Sequence, residues 1–228
     1  MKTSMAILAA GGLCGTAFGQ NLVVSTFDEN FAALTPAEVA QTESQPWLFD
    51  FGSAFATNIF WDEMDRDGSA DSGSQRFEVF FDEGGTAAFS VNDNNTSSRF
   101  FPGEDVTGFT ALEFSIFFTE ESVRDQFGDF GFLQLAIRNG DNFDFFSAGT
   151  AINTAGEWVD VSFDLSQFGP PENYDDVRAL TLDLFADGDR AINGEVEFFL
   201  DNVRFVPTPG TAAMLMAGGL FAAGRRRR

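Results

Sequence analysis

Alternation of apolar and polar side chains at every second residue is the feature that most restricts how this chain can fold. In residues 111–118, Leu112, Phe114, Ile116 and Phe118 are separated by residues such as Glu113 and Ser115. The same spacing recurs in residues 132–138, 157–165 and 180–184. Because successive side chains of a strand point to opposite faces, these four segments predict half-buried β-strands.

Weaker strand patterns occupy much of the remaining chain. They lie at residues 22–27, 76–81, 87–91, 143–146 and 196–205, and residues 35–42 are the one candidate for a short helix. Turn signals such as Asp67-Gly68, Gly84-Gly85 and Asp187-Gly188 separate them. Many short strands joined by such turns predict an all-β protein, an antiparallel β-sandwich (jelly roll), rather than an α/β enzyme.

The last predicted strand changes its alternation partway along. Phe198 and Leu200 occupy even-numbered positions, whereas Val203 and Phe205 occupy odd-numbered positions, so a regular strand would point the two pairs to opposite faces. A β-bulge near Asp201 and Asn202 would let all four apolar side chains face the core.

Composition excludes several classes of function. The 228-residue chain has no histidine, so it cannot build a Ser-His-Asp centre, a Cys-His centre or an imidazole-based zinc site. Residues 21–205 hold eight arginines, no lysine and all 35 acidic residues, a net charge of −27. That charge repels nucleic acid and anionic lipid. It is typical of an exported protein screened by salt or calcium, and equally of a merely soluble surface, and both interpretations stay open.

The N-terminus has the pattern of a secretory signal peptide over residues 1–19. An apolar run, residues 5–13, follows Lys2, and Ala17-Phe18-Gly19 supplies small residues for cleavage after Gly19. Cys14 is not preceded by the small residue that lipidation needs, and after cleavage the chain contains no cysteine. Disulfides therefore cannot stabilise the exported protein.

The C-terminus, residues 207–228, combines Pro207 and Pro209, an uncharged apolar stretch from Thr211 to Gly224, and the block Arg225, Arg226, Arg227 and Arg228. This order resembles the PEP-CTERM sorting signal of exported bacterial proteins, with Thr208 in place of the usual glutamate. The resemblance implies an exosortase-type processing enzyme as partner and transient membrane contact through an apolar helix. An ordinary tail anchor is the alternative, although about 14 residues are short for a bilayer span.

The body, residues 20–206, carries phrases of a second family. Residues 156–165 read Gly-Glu-Trp-Val-Asp-Val-Ser-Phe-Asp-Leu, residues 199–205 read Phe-Leu-Asp-Asn-Val-Arg-Phe, and Phe27-Asp28-Glu29 lies near the mature start. These phrases resemble the β-jelly rolls of carbohydrate-binding modules (galactose-binding-like). The resemblance implies a structural calcium ion held by Asp28, Glu29 and Asp201.

A second candidate calcium site is the acidic loop at residues 62–71. Asp65, Asp67 and Asp71 place oxygen ligands on spaced residues around Gly68, as a loop that wraps a hard cation does. The position that carries the bidentate glutamate of an EF-hand holds Ser74, so a solvated acidic loop is the other interpretation.

Glycan binding would need exposed flat side chains. Trp47, Trp61 and Tyr174 lie in segments without a clear strand pattern and are the candidate platforms for sugar rings, whereas Trp158 begins a strand and is expected to pack. No carboxylate pair stands out as catalytic. The sequence therefore predicts an exported, non-catalytic surface or matrix protein that binds polysaccharide. The alternatives are a secreted carbohydrate-active enzyme and a purely structural matrix protein.

Overall fold

The computed structural model describes residues 20–33, 45–68, 72–92 and 103–207. These residues form eleven strands: β1 (Leu22–Ser25), β2 (Leu48–Gly52), β3 (Ala56–Asp62), β4 (Ser74–Phe81), β5 (Thr86–Asn92), β6 (Phe109–Phe118), β7 (Phe132–Asn139), β8 (Asp144–Ala151), β9 (Trp158–Asp164), β10 (Val177–Phe185) and β11 (Gly194–Pro207). Short 3-10 helices cover Phe31–Ala33, Leu165–Phe168, Pro171–Asn173 and Gly188–Arg190. The predicted all-β fold is confirmed.

Every strand pairing is antiparallel, and the strands divide into two sheets. The six-stranded sheet has the order β3-β4-β11-β6-β9, and β1 also pairs with β11. The five-stranded sheet has the order β2-β5-β10-β7-β8. The two sheets form an antiparallel β-sandwich, as the turn-punctuated strand pattern predicted.

Phenylalanine dominates the core between the sheets. Phe77 of β4 and Phe198 of β11 stack with ring centroids 4.7 Å apart, and Phe89 of the opposite sheet lies 4.5 Å from Phe77. Phe118 stacks on Phe130 at 4.4 Å. Offset ring packing of this kind adds to the free energy gained by burying the rings, so the core is stabilised without a disulfide.

The bulge predicted in β11 is present. The register against β6 shifts between Asp201 and Arg204, and Asn202 takes a positive φ of 54°. Phe198, Leu200, Val203 and Phe205 are all buried, at most 1% exposed. The irregularity therefore keeps both halves of the strand in contact with the core.

Two strands were missed by the sequence analysis, β2 and β3. Both are edge strands, and every residue of β2 is exposed, so neither has a fully buried apolar set to mark it. The predicted helix at residues 35–42, the signal peptide and the tail from Thr208 onward lie outside the described residues. Among the residues that are described, no helix is long and apolar enough to span a bilayer.

Candidate functional site

The outward face of the five-stranded sheet has a floor of small and polar side chains. Leu180, Leu182 and Leu184 of β10 point into the core, so the intervening Thr181 and Asp183 point outward. The strand register places Ser90 and Ala136 beside Thr181, and Ala88 and Gln134 beside Asp183. We call Ala88, Ser90, Ala136, Thr181 and Asp183 the floor. All five are buried, at most 3% exposed.

Aromatic side chains flank this floor at both sheet edges. Phe51 on β2 is 43% exposed, and Phe145 on β8 is 45% exposed. Phe132 of β7 lies directly against the neighbouring strand because that strand has a glycine there: a Cβ on Gly149 would clash with the Phe132 ring. The floor is thus bordered by rings that can pack against a ligand.

An ion pair crosses the same face. Arg138 of β7 donates to the Asp50 carboxylate of β2, although β5 and β10 lie between these strands. Three strand spacings amount to about 14 Å. The two side chains therefore reach toward each other across the floor. A register shift between Phe49 and Phe51 leaves Asp50 as the extra residue of a bulge, and the Arg138 guanidinium also lies 5.5 Å from the centre of the Phe51 ring.

Beneath this pair, two buried polar atoms have no hydrogen-bond partner among the described residues. They are Oγ1 of Thr181 and Oδ1 of Asp183. Burial raises the pKa of Asp183 to about 7, and the charge of Arg138 opposes that rise only in part. A buried polar atom without a partner costs about 1–3 kcal/mol, so such atoms in a folded protein call for a ligand or an ordered water. Near neutral pH the Asp183 carboxyl can either donate or accept a hydrogen bond.

The aromatic residues predicted as sugar platforms are not exposed as expected. Trp47 is 1% exposed, and its backbone N–H and C=O are both bound by the side-chain amide of Gln75. Tyr174 is 7% exposed, and burial raises the pKa of its phenol. The prediction that these two side chains present a free face was wrong, because a large ring in a segment without strand pattern can still be enclosed by its neighbours.

Trp61 lies within β3, on the side that faces the core. Its Nε1 donates to the carbonyl of Phe27 at 2.9 Å, and its ring rests against the backbone at Gly73, where a Cβ would approach Cζ2 to 2.6 Å. Trp61 is half-buried, so its main contacts are with the protein. Trp158, which was expected to pack, is also half-buried and lies beside Phe117 at 5.7 Å.

The two predicted calcium sites overlap in the structure. The Ser72 hydroxyl lies within hydrogen-bond distance of the carboxylates of both Asp28 and Asp65, and the backbone N–H of Arg66 donates to Asp201 at 3.1 Å. Burial raises the pKa of Asp201 to about 7, and the charges of Asp65 and Asp28 add to the rise. One neighbourhood therefore holds residues from both predicted sets.

The remaining predicted ligands are Glu29, Asp67 and Asp71. Glu29 and Asp67 are exposed, and Asp71 lies outside the described residues. In the part of the chain that the structure describes, no three acidic side chains are arranged as a ready-made metal site. Calcium binding stays a prediction.

The five-stranded face itself was not predicted as a site. The alternation in residues 180–184 does indicate that Thr181 and Asp183 point outward, but alternation alone says nothing about whether an outward face is covered. That depends on Asp50 and Arg138, which are 88 residues apart in sequence.

Comparison with known proteins supports the fold. No family model matches the sequence, and no curated protein matches it. Among solved structures, a carbohydrate-binding module specific for non-crystalline cellulose, CBM28, aligns with a TM-score of 0.51 and 14% identity, covering 83% of this chain and 96% of that one. The family 11 carbohydrate-binding module of a cellulosomal cellulase of Clostridium thermocellum aligns with a TM-score of 0.50 and 10% identity, with the same coverages. The body of the chain shares the β-sandwich fold of carbohydrate-binding modules.

Proposed function

We propose that the protein is an exported, non-catalytic module that binds polysaccharide on its five-stranded face. The observation that carries the proposal is the floor: two buried, unpartnered polar atoms, on Thr181 and Asp183, lie between exposed rings at both edges. Sugars present apolar ring faces and many hydroxyl groups, so they complement rings and unpartnered acceptors together. Two modules with this fold bind carbohydrate according to their names, one of them non-crystalline cellulose, which supports the proposal.

Binding would replace contacts that the protein now makes with itself. The Asp50–Arg138 pair covers the floor, and the half-buried Ser147 and the exposed Gly149 and Phe145 lie beside it on β8. A sugar that enters from the β8 side packs against the rings, supplies hydrogen bonds to Thr181 and Asp183, and displaces the ion pair. Since residues 21–205 carry a net charge of −27, neutral polysaccharides are the expected ligands.

Export is part of the same proposal. It depends on the signal peptide of residues 1–19 and on the PEP-CTERM-like segment of residues 207–228, with an exosortase-type enzyme and transient membrane contact. The proposed destination is the cell surface or the extracellular matrix, where polysaccharide is available.

A pair of matched variants tests the binding face. Ser147→Leu adds bulk at the edge of the floor, whereas Ser166→Leu makes the same change at an exposed position in the 3-10 helix Leu165–Phe168, outside both sheets. We expect affinity electrophoresis of the full-length protein in gels that contain neutral polysaccharides to show equal retardation of wild type and Ser166→Leu, and weaker retardation of Ser147→Leu. If no polysaccharide retards the wild-type protein, or if Ser147→Leu behaves like wild type, the proposal fails.

A further inference from the structure

The outward face of the six-stranded sheet carries a continuous row of aromatic contacts. The register aligns one outward residue from each strand of the sheet path: Phe60 of β3, Arg76 of β4, Phe199 of β11, Phe117 of β6 and Trp158 of β9. We call these five residues the aromatic stripe. It runs across the strands, from one edge of the sheet to the other.

Each member of the stripe touches the next. The Arg76 guanidinium lies 5.8 Å from the Phe60 ring and 5.9 Å from the Phe199 ring. Phe117 lies 5.8 Å from Phe199 and 5.7 Å from Trp158. A guanidinium is planar and stacks on rings, so Arg76 continues the row rather than interrupting it.

Exposure differs along the row. Phe60 is 46% exposed, Phe117 and Trp158 are half-buried, and Phe199 in the middle is 3% exposed. The accessible rings thus lie toward the two ends of the stripe.

Hydrogen-bonding side chains line the stripe on both sides. The neighbouring row on one side holds Asn58, Glu78 and Glu197, and the row on the other side holds Ser115 and Asp160. Arg76 forms ion pairs with Glu78 and Glu197, each at 2.6 Å, and Ser115 donates to Asp160 at 2.7 Å. Surface depressions of about 360 Å³ and 320 Å³ lie beside the stripe, the first next to Ser115 and Asp160 and the second next to Asn58 and Glu78.

We propose that the aromatic stripe is a second polysaccharide-binding surface, on the side of the sandwich opposite the proposed five-stranded face. A sugar chain that lies across the strands would place its ring faces on Phe60, Phe117 and Trp158. Its hydroxyl groups would then point to the carboxylates and amides of the two flanking rows. The carboxylates of these rows accept hydrogen bonds from hydroxyls, although each of them is also paired with an arginine: Glu78 and Glu197 with Arg76, and Asp160 with Arg66.

Two binding surfaces on opposite sides of one domain make the protein a cross-linker of polysaccharide chains. This consequence rests on the proposed function of the five-stranded face, whereas binding at the stripe does not require it. Binding through both surfaces strengthens attachment to a polymer network by avidity.

The test isolates the stripe by blocking the other face first. Phe60→Ser is made in the Ser147→Leu background, and Phe127→Ser, which removes another exposed ring outside the stripe, is the matched control. The full-length proteins are compared by affinity electrophoresis in hydroxyethyl cellulose and in a mixed-linkage β-glucan. We expect Ser147→Leu to retain part of the wild-type retardation, Phe60→Ser to weaken the remaining affinity by about tenfold, and Phe127→Ser to leave it unchanged.

The other possible results distinguish the two proposed binding surfaces. If Ser147→Leu abolishes retardation, the stripe proposal is overturned while the proposed function stands. If Ser147→Leu is retarded like wild type and the added Phe60→Ser change removes the retardation, the stripe is the binding surface. The proposed function of the five-stranded face is then wrong. If Phe60→Ser changes nothing in either polysaccharide, or only dissociates a dimer detected by sedimentation velocity, the stripe does not bind polysaccharide. Trp158→Phe keeps an aromatic ring in the stripe, so we expect this variant to stay folded and to retain most of the binding.

Discussion

Replacing Asp183 by asparagine should stabilise the protein at alkaline pH and much less at acid pH. The Asp183 carboxyl is 2% exposed and one of its oxygens is unpartnered, so its charged form is disfavoured in the folded state. An unfolded aspartate titrates near 3.9. Since the folded-state pKa is raised to about 7, the folded protein holds this proton between about pH 4 and pH 7 while the unfolded chain has lost it.

The direction in which stability changes with pH follows from this difference in bound protons. The free energy of unfolding falls as the pH rises from about 4 to about 7, because the unfolded state binds fewer protons over that range. A shift of about three pKa units at about 1.4 kcal/mol each gives a loss of about 4 kcal/mol at pH 8, as an upper bound. An asparagine at this position would keep the size of the side chain and abolish the titration, so Asp183→Asn should recover much of that free energy at pH 8.

Urea unfolding of wild type and Asp183→Asn at pH 5 and pH 8 measures the effect. The matched control is Asp144→Asn on β8, where the aspartate is exposed, and this variant should show the same small change at both pH values. A stabilisation by Asp183→Asn that is equal at the two pH values, or a destabilisation at pH 8, would refute the assignment of Asp183 as an unpartnered buried acid.

The remaining predictions concern calcium, the core and the tail. Millimolar calcium should raise the melting temperature above that in sodium chloride of matched ionic strength, and Asp201→Asn should remove most of the gain. If Asp65→Asn removes the gain while Asp201→Asn does not, the calcium site belongs to the acidic loop. Equal melting temperatures in the two salts would exclude a specific calcium site. Gln75→Leu should lower the free energy of unfolding by about 2–4 kcal/mol, because both backbone groups of Trp47 lose their buried partner, whereas Gln167→Leu at an exposed position should not. Protein recovered from native cells should end between residues 206 and 210, and an intact mass that retains Arg225–Arg228 would contradict the sorting-signal hypothesis.

The fold could be predicted because its strongest determinant is local. Strands β6, β7, β9 and β10 each have one apolar set that alternates with polar residues, and these sets are buried in the structure. The bulge at Asn202 could also be predicted, since the parity of Phe198 and Phe205 requires an extra residue between them if both are to face the core.

The candidate site could not be predicted in the same way. Trp47 was expected to be exposed because nothing in its local sequence reveals Gln75, 28 residues away, which binds its backbone. The aromatic stripe likewise depends on the register of five strands, and the outward position of Phe117 gives no hint that Arg76 and Phe60 align with it. Sequence alternation assigns a face to each residue, whereas long-range register decides which residues share that face.

The pairing of β1 with β11 has a mechanical consequence. Leu22 lies opposite Phe205, so the first and last strands of the sandwich are bonded side by side, and β11 is also paired with β4 and β6. If the protein is tethered through its C-terminal end, a pulling force acts on β11 along the length of the strand. A strand that is bonded on both flanks and pulled along its length must break many hydrogen bonds together, whereas an edge strand peels away one bond at a time. The sandwich is therefore built to resist force at the end where a surface tether would pull.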